Sequence, residues 1–205
     1  MKAAIAFGRM NPTTTGHFLV VKALHDTDAD KKYIYLSHSQ DKKKNPLSYG
    51  TKVDYLRIFL KHGPYPDVEV KESEAKTAIG ALCELYEEGF TDIIYICGSD
   101  RVEEFREMLG KYNGKPTKAG VIPYEFNSLE IVSAGERDPD ADDVSGMSAS
   151  KMRALATEGN LEEFIKGVPT DARDLAVSYY NDVREGRFRV IKIPLRYQSK
   201  SVLKQ

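Results

Sequence analysis

Apolar runs alternate with amphipathic stretches along most of the chain. Short apolar runs, typical of buried strands, occupy Ala3–Phe7, Tyr33–Ser37, Val68–Lys71, Asp92–Cys97 and Leu129–Ser133. Apolar positions at helical spacing lie between most of them, at Gly16–His25, Tyr49–Lys61, Ala78–Glu88 and Val102–Leu109. Because helices that connect strands in this way make the strands parallel, the pattern predicts a doubly wound α/β sandwich with about five strands.

The last quarter of the chain has the pattern of helices followed by a basic tail. A helix is predicted to continue from Arg153 through Leu155, a second to cover Leu161–Gly167 with Asn160 as its cap, and a third to cover Asp171–Glu185. Residues 188–195 partly alternate apolar and basic side chains, which favours an edge strand or a strand exchanged with a partner subunit. We therefore expect a Rossmann-like domain over 1–168, to which the C-terminal helix and tail, 169–205, are appended.

Composition fits an ordinary globular protein. The chain has 205 residues, of which 41% are hydrophobic and 30% charged, enough for one substantial core. No run reaches the roughly 18 apolar residues of a membrane span, and no signal segment opens the chain, so we expect a cytoplasmic protein without membrane contact. Cys83 and Cys97 match neither a disulfide framework nor a zinc site, and we expect two reduced, buried thiols.

Charge is balanced overall but uneven along the chain. The net charge of −1 argues against general nucleic-acid affinity, and nucleic acid is not an expected partner. Residues 184–205 nevertheless carry seven basic residues against Glu185 alone. A nucleic-acid role driven by this tail therefore stays open; deleting 186–205 would then abolish salt-sensitive binding.

Two segments have the features of phosphate-binding elements. Gly8–His17 joins an apolar strand-like run to a helix-like run, so it places the start of a helix directly after a strand. Such a start presents unpaired N–H groups and the positive end of the helix dipole to an anion. Gly16 allows close approach of a phosphate, and His17 adds a side-chain donor. Met147–Arg153 is the second segment, with hydroxyls and an arginine before and within a helix.

These segments resemble the two signature motifs of the nucleotidyltransferase superfamily, which is related to the class I aminoacyl-tRNA synthetases. Thr14 and His17 fill the conserved positions of its T/HxGH motif. The superfamily's ISSTxxR motif is matched, with one departure at Ala149, by Met147, Ser148, Ala149, Ser150 and Arg153. Gly8–His17 is most similar to the archaeal type of nicotinamide-nucleotide adenylyltransferase, while the threonine at position 14 also resembles phosphopantetheine adenylyltransferase.

Two shorter patches agree with the same resemblance. Ser39-Gln40 and Asn45-Pro46-Leu47-Ser48 are similar to the Ser-x-Gln and Asn-Pro-Phe-Thr stretch after the second strand of the archaeal enzymes. Gly98-Ser99-Asp100 is similar to the Gly-x-Asp turn that follows the fourth strand in many adenylyltransferases. In open α/β sheets such loops meet beyond the carboxyl ends of the strands.

The resemblance implies a reaction and a set of site residues. An acceptor phosphate attacks the α-phosphorus of a nucleoside triphosphate and expels pyrophosphate, while Mg²⁺ is carried on the triphosphate and the protein supplies no metal ligands. The implied catalytic residues are His17, Arg153 and Lys44. The implied nucleotide-binding residues are Gly8, Arg9, Met10, Thr14, Gly16, His17, Gly98, Asp100, Ser148, Ser150 and Arg153, with Ser148 and Ser150 also capping the late helix. The implied acceptor-binding residues are Asn11, Lys44 and Asn45.

The substrate pair that this resemblance favours is ATP with a small phosphorylated acceptor, nicotinamide mononucleotide first. Thr14 is typical of adenylyltransferases, whereas cytidylyltransferases usually have histidine there; a cytidylyltransferase or a phosphopantetheine-type enzyme stays open. So does an idle nucleotide-binding or assembly protein, although His17, Ser148, Ser150 and Arg153 together argue against it. A homo-oligomer is also possible.

An acidic stretch at 136–143 precedes the second motif. Asp138, Asp140 and Asp142 open with the spacing of a calcium-binding loop, but Asp143 and Ala149 replace the glycine and glutamate that such a loop needs. We therefore expect a solvated loop or a lid here, and no metal site.

Overall fold

One parallel sheet organises the molecule. The structure, a computed structural model, describes residues 1–135 and 147–186. Five strands, β1 (Lys2–Gly8), β2 (Lys31–Leu36), β3 (Glu69–Lys71), β4 (Asp92–Cys97) and β5 (Ser128–Ser133), pair in the order β3-β2-β1-β4-β5. Every neighbouring pair is parallel, which confirms the predicted α/β architecture.

Helices cover both faces of this sheet. They are α1 (Phe18–His25), α2 (Tyr49–His62), α3 (Ala78–Glu87), α4 (Val102–Gly110), α5 (Ala149–Glu158), α6 (Leu161–Lys166) and α7 (Arg173–Glu185). Short 3-10 turns at Thr15–His17 and Ser99–Arg101 lead into α1 and α4. The predicted element boundaries agree with these within a few residues; Gly16 and His17, predicted as the start of α1, belong to the first of these turns.

The central strands are apolar on both faces because both faces are covered. In β1, Ala3 and Ile5 join the cluster under α3 and α4, whereas Ala4 and Ala6 join the cluster under α1 and α2. All four residues are at most 3% exposed. A strand buried on two sides gives a continuous apolar run rather than alternation, which is the pattern that its sequence shows.

A third apolar cluster joins α2 to the three C-terminal helices. Tyr55 and Phe59 of α2 contact Tyr179 of α7, with Tyr179 also against Phe164 of α6. The Tyr55 hydroxyl donates a hydrogen bond of 2.7 Å to the Asp182 carboxylate. These helices therefore pack on the first 135 residues rather than standing apart from them.

Some expectations concern residues that the structure does not describe or describes differently. The acidic stretch at 136–143 and the tail segment 188–195 lie outside the described residues. Cys97 is buried, but Cys83 on α3 is only half-buried, so the prediction of two buried thiols is wrong for Cys83. Its place on a helix turned partly to solvent explains the difference. Within 1–135 and 147–186, no helix has the length and apolar content to cross a membrane.

Candidate functional site

A cavity opens between β1 and β4, at the carboxyl ends of these two strands. The chain builds outward from β1 to β3 on one side and from β4 to β5 on the other, so β1 and β4 mark the point where strand order reverses. Ligands of open α/β sheets bind at such points. The cavity here has a volume of about 600 Å³. Residues that line it include Gly8, Arg9, Met10, Gly16, His17, Leu19, Val20, Ile96, Cys97, Gly98, Asp100 and Arg101.

A smaller cavity of about 220 Å³ adjoins the first. Its walls are formed by Arg9, Met10, Asn11, His17, Lys44, Ser148, Ala149, Ser150 and Arg153. Arg9, Met10 and His17 line both cavities. Residues 40–46 contain three consecutive lysines and form a segment that we call the lysine loop. The structure therefore brings both motifs, the turn at Gly98 and the lysine loop to two openings that share a wall.

Positive charge concentrates around the smaller cavity. Arg9, Lys44 and Arg153 are among the residues that line it, and His17 is the fourth basic residue there. Burial lowers the pKa of Arg153, and the nearby charge of Arg9 lowers it further, while Asp41 acts in the opposite direction. Cations held close together in a partly buried site are stabilised by an anion, so the walls favour a polyphosphate.

Hydrogen bonding defines the tautomer of His17. Its Nδ1 accepts a bond of 3.0 Å from the backbone N–H of Thr14. An imidazole nitrogen that accepts such a bond carries no proton, so the neutral ring carries its proton on Nε2, across the ring from Thr14. In this state His17 brings a nitrogen donor to a residue position that lines both cavities.

Thr14 lies behind the cavities rather than in their walls. Its side chain is fully buried. The hydroxyl donates a bond of 2.8 Å to the carbonyl of Met147 and accepts the N–H of His17 at 3.4 Å. Thr14 therefore ties the first motif to the second. The predicted contact between its side chain and a triphosphate stays a prediction.

The two asparagines predicted to bind the acceptor have structural hydrogen bonds. Asn11 is 1% exposed, and its amide donates to the Leu47 carbonyl at 2.9 Å and accepts the Leu47 N–H at 3.0 Å. Asn45 is buried, and its amide donates to the Asp41 carboxylate at 2.6 Å. Asn11 thus fastens the loop after β1 to the segment before α2, whereas Asn45 closes its own loop. Of the lysine loop's residues, Lys44 lines the smaller cavity.

Asp41 organises the lysine loop, and sequence reasoning did not single it out. Its carboxylate accepts the backbone N–H groups of Lys43 and Lys44, at 3.0 Å and 2.6 Å. The bond from the Lys44 N–H, followed by the bond from Asn45, lowers the pKa of Asp41. An aspartate that precedes several polar residues and a proline is a typical turn signal, so it could have been found.

In the second motif the serines have different roles. Ser148 caps α5, where its hydroxyl accepts the Lys151 N–H at 3.0 Å, as predicted. Ser150 lies inside the helix, so the predicted cap by Ser150 is wrong; its hydroxyl accepts a bond of 3.1 Å from Arg153. The other arm of the Arg153 guanidinium donates to the carbonyl of Asn11 at 2.8 Å. Arg153 therefore connects α5 with the first motif at the cavity wall.

In the turn after β4, Gly98 leaves room for the side chain of Asp100. A Cβ atom at Gly98 would lie 2.8 Å from the carboxylate of Asp100, too close for the present arrangement. Both residues line the larger cavity, and their predicted contact with a nucleotide stays a prediction. Arg101, which was not predicted, lies 4.7 Å above the centre of the Phe105 ring and pairs with Glu104. Its stacked position adds a cation to the wall of the same cavity.

Lys52 was also missed. It is 1% exposed on α2, and its amine donates to the carbonyls of Arg9 and Ser37, the former at 3.0 Å. Burial lowers the pKa of the amine to about 8. The sequence did hold a signal, because Lys52 falls one and two helical turns before Tyr55 and Phe59, on the apolar face of α2.

A metal centre is not apparent in the described ranges. Across 1–135 and 147–186, no group of three or more histidine, cysteine, aspartate or glutamate side chains converges in a way that could hold an ion. Asp138, Asp140 and Asp142 lie outside these ranges.

Comparison with known proteins extends the fold assignment. No protein-family profile matches the chain, and no curated protein sequence does. The structure is similar to that of nicotinic acid mononucleotide adenylyltransferase from Plasmodium falciparum, complexed with NaAD. The TM-score is 0.62 at 13% identity, over 92% of this chain and 99% of that one.

Two further solved structures are similar. One is a Vibrio parahaemolyticus protein with a provisional assignment as a nicotinate-nucleotide adenylyltransferase, with a TM-score of 0.60 and 16% identity over 86% of this chain and 99% of that one. The other is Thermotoga maritima TmcAL bound with alpha-thio ATP, with a TM-score of 0.54 and 14% identity over 89% of this chain and 56% of that one. The chain thus has the fold of these solved structures.

Proposed function

We propose that this protein is a nucleotidyltransferase that moves AMP from ATP to a small phosphorylated acceptor and releases pyrophosphate. The observation that carries the proposal is the small cavity walled by Arg9, His17, Lys44 and Arg153, directly beside a larger cavity at the strand-order switch point. A cationic opening next to a partly apolar one fits a nucleoside triphosphate, which has a polyanionic end and a flat base.

The reaction requires that the two phosphates are aligned and that the charge on the leaving pyrophosphate is neutralised. An oxygen of the acceptor phosphate forms a bond to the α-phosphorus as the bond from that phosphorus to the bridging oxygen of the β-phosphate breaks. A phosphate is already a nucleophile, so no side chain needs to attack. Arg9, Lys44 and Arg153 would neutralise the charge that builds on pyrophosphate, and the Nε2–H of His17 would donate to a phosphate oxygen.

The larger cavity would hold the nucleoside. Leu19, Val20 and Ile96 give the cavity apolar walls. The turn after β4 lines it as well, with the backbone of Gly98 and the carboxylate of Asp100. Its volume of about 600 Å³ lies within the usual range of small-molecule sites, roughly 300–1,000 Å³. A purine base fits against the apolar wall, while the carboxylate of Asp100 is a suitable acceptor for ribose hydroxyls.

A pyridine mononucleotide is the acceptor that we propose first. The support is the structural likeness to the Plasmodium enzyme, whose name gives nicotinic acid mononucleotide as its substrate, together with the motifs that resemble nicotinamide-nucleotide adenylyltransferases. Mg²⁺ would enter with the triphosphate. A cytoplasmic location and a homo-oligomer belong to the same proposal.

Pyrophosphate release tests the proposal. The purified protein is given Mg²⁺, ATP or CTP, and one acceptor at a time: nicotinamide mononucleotide, nicotinate mononucleotide, phosphopantetheine, flavin mononucleotide, phosphocholine and sugar phosphates. Release with ATP and a pyridine mononucleotide supports the proposal in full. Release with CTP instead of ATP would show that the protein is a cytidylyltransferase. Release with a different acceptor would show that the proposed pyridine mononucleotide is not the substrate.

A pair of arginine variants shows whether the proposed site performs the reaction. Arg153→Met removes a wall cation, whereas Arg106→Met removes an exposed arginine of α4 that pairs with Glu103. Turnover should fall about a hundredfold or more in Arg153→Met and stay unchanged in Arg106→Met. Silence with every acceptor, together with intact ATP binding, would contradict the transferase proposal and favour an idle nucleotide-binding protein.

A further inference from the structure

Lys52 lies where β1 and β2 stop pairing. The last ladder bond between these strands runs from the Ser37 N–H to the Gly8 carbonyl, at 2.9 Å. Arg9 follows Gly8 in the chain, and its carbonyl accepts a hydrogen bond from the Lys52 amine. The same amine donates to the carbonyl of Ser37. The amine therefore continues the cross-link between the two strands after their backbones have diverged.

Packing alone does not account for a lysine at this position. Lys52 is 1% exposed, and none of the ion pairs among the described residues includes it. Burying an ammonium group without a carboxylate beside it carries a large desolvation cost. A methionine would fill similar space without that cost. What lysine adds is a donor for two carbonyls and a positive charge.

The carbonyl that Lys52 holds belongs to an unusual stretch of backbone. Met10 has a φ of +40°, in the left-handed region that residues with a side chain rarely adopt. Lys52 binds the carbonyl of the residue before Met10, and Arg153 binds the carbonyl of Asn11, the residue after it. Such backbone persists where its surroundings over-determine it, and these two cations secure it from both sides.

Met10 and the residues on either side of it, Arg9 and Asn11, line the cavities. Arg9 and Met10 line the larger and the smaller cavity, and Asn11 lines the smaller one. A shift of the Arg9 carbonyl would move the Arg9 side chain with it. The position of Lys52 thus controls a cationic wall that it does not itself form.

We propose that Lys52 is a positioning residue for phosphate binding: by holding the carbonyls of Arg9 and Ser37, it sets the path of residues 9–11 and the place of the Arg9 side chain at the cavities. This inference rests on the proposed function, because it assumes that the cavities receive a phosphate chain. It does not depend on the identity of the acceptor.

The test is Lys52→Met, with Lys61→Met as the control. Lys61 is an exposed lysine of the same helix. Isothermal titration with ATP and with inorganic pyrophosphate reports phosphate binding, and pyrophosphate release reports kcat and KM. We expect Lys52→Met to raise both dissociation constants at least tenfold and to lower kcat/KM by about a hundredfold, chiefly through the KM for ATP. Lys61→Met should match the unaltered protein.

Folding is measured alongside. A role confined to folding would lower the melting temperature and the active fraction, which reduces kcat while the KM for ATP stays constant. A positioning role predicts that the KM for ATP rises while kcat changes less, and that the melting temperature changes by a few degrees at most. A guanidinium can also donate to two carbonyls, so Lys52→Arg should recover most of the lost affinity.

The outcomes separate the two proposals. ATP and pyrophosphate binding by the unaltered protein, without turnover of any acceptor, would contradict the proposed function while the comparison with Lys52→Met still tests positioning. Unchanged affinities in a folded Lys52→Met would overturn the positioning role and leave the proposed function standing. If the unaltered protein bound neither compound, both proposals would be wrong.

Discussion

The hydroxyl of Thr14 donates a hydrogen bond of 2.8 Å to the carbonyl oxygen of Met147, 133 residues further along the chain. The bond is buried, and it joins the loop after β1 to the residue that precedes the cap of α5. The backbone N–H of Thr15 adds a second link, to the Gly167 carbonyl at 2.9 Å. The two motifs are therefore fixed relative to each other before any ligand binds.

Replacing Thr14 by valine should weaken that connection. Valine keeps the shape but leaves the Met147 carbonyl without this donor, which typically costs about 1–3 kcal/mol in a buried place. We expect urea denaturation to show such a loss and pyrophosphate release to fall with it. Thr27→Val is the control, because the Thr27 hydroxyl donates to the Leu24 carbonyl at 2.7 Å, at the far end of α1. Equal turnover losses in both variants would contradict a specific role for Thr14.

The two ring nitrogens of His17 should be separable by mutation. Asparagine can present an oxygen near the position of Nδ1, which accepts the Thr14 N–H, but it lacks the donor at Nε2. We expect His17→Asn to lower turnover by about 10²–10³ while the melting temperature changes little. His17→Ala loses both functions and should also lose roughly 1 kcal/mol of stability, as for a missing cap. Full activity in a folded His17→Asn would rule out phosphate contact through Nε2.

Much of this arrangement could be predicted from the sequence because it depends on local patterns. The five parallel strands follow from apolar runs, and the approach of the two motifs follows from strand ends meeting at one edge. The roles of Asn11 and Thr14 could not be predicted, since their partners, Leu47 and Met147, lie far along the chain. A polar residue in a loop gives no sign of whether it faces a ligand or a distant carbonyl.

Lys52 and Tyr179 illustrate the same limit. Lysine on a helix is ordinarily a solvated residue, and only its alignment with the apolar face of α2 marks it as buried. Tyr179 has the spacing of a core residue, but its hydroxyl also accepts the N–H of Thr13 at 2.6 Å, inside the first motif. The contact of α7 with the loop after β1 could therefore be recognised only in the packed structure.

Gly167 should be intolerant of a side chain although its backbone conformation suits any residue. A Cβ atom there would lie 2.3 Å from the Met147 side chain and 2.4 Å from that of Met152. The displaced Met147 would disturb its bond with Thr14, so we expect Gly167→Ala to lower both the melting temperature and the affinity for ATP. Overpacking of this kind typically costs about 1–3 kcal/mol. Gly110→Ala, where nothing lies within 4 Å of the new Cβ, should lower neither, because alanine favours the helix more than glycine does.

The buried amine of Lys52 should make stability depend on pH in a defined window. Burial lowers its pKa to about 8 from an ordinary value of 10.5. Between these values the unfolded chain binds more protons at this site than the folded protein, so raising the pH favours the folded state. Urea denaturation of the unaltered protein and Lys52→Met from pH 7 to pH 10 checks this. The free energy of unfolding of the unaltered protein, minus that of the variant, should grow above pH 8; a constant difference would show that the amine has an ordinary pKa.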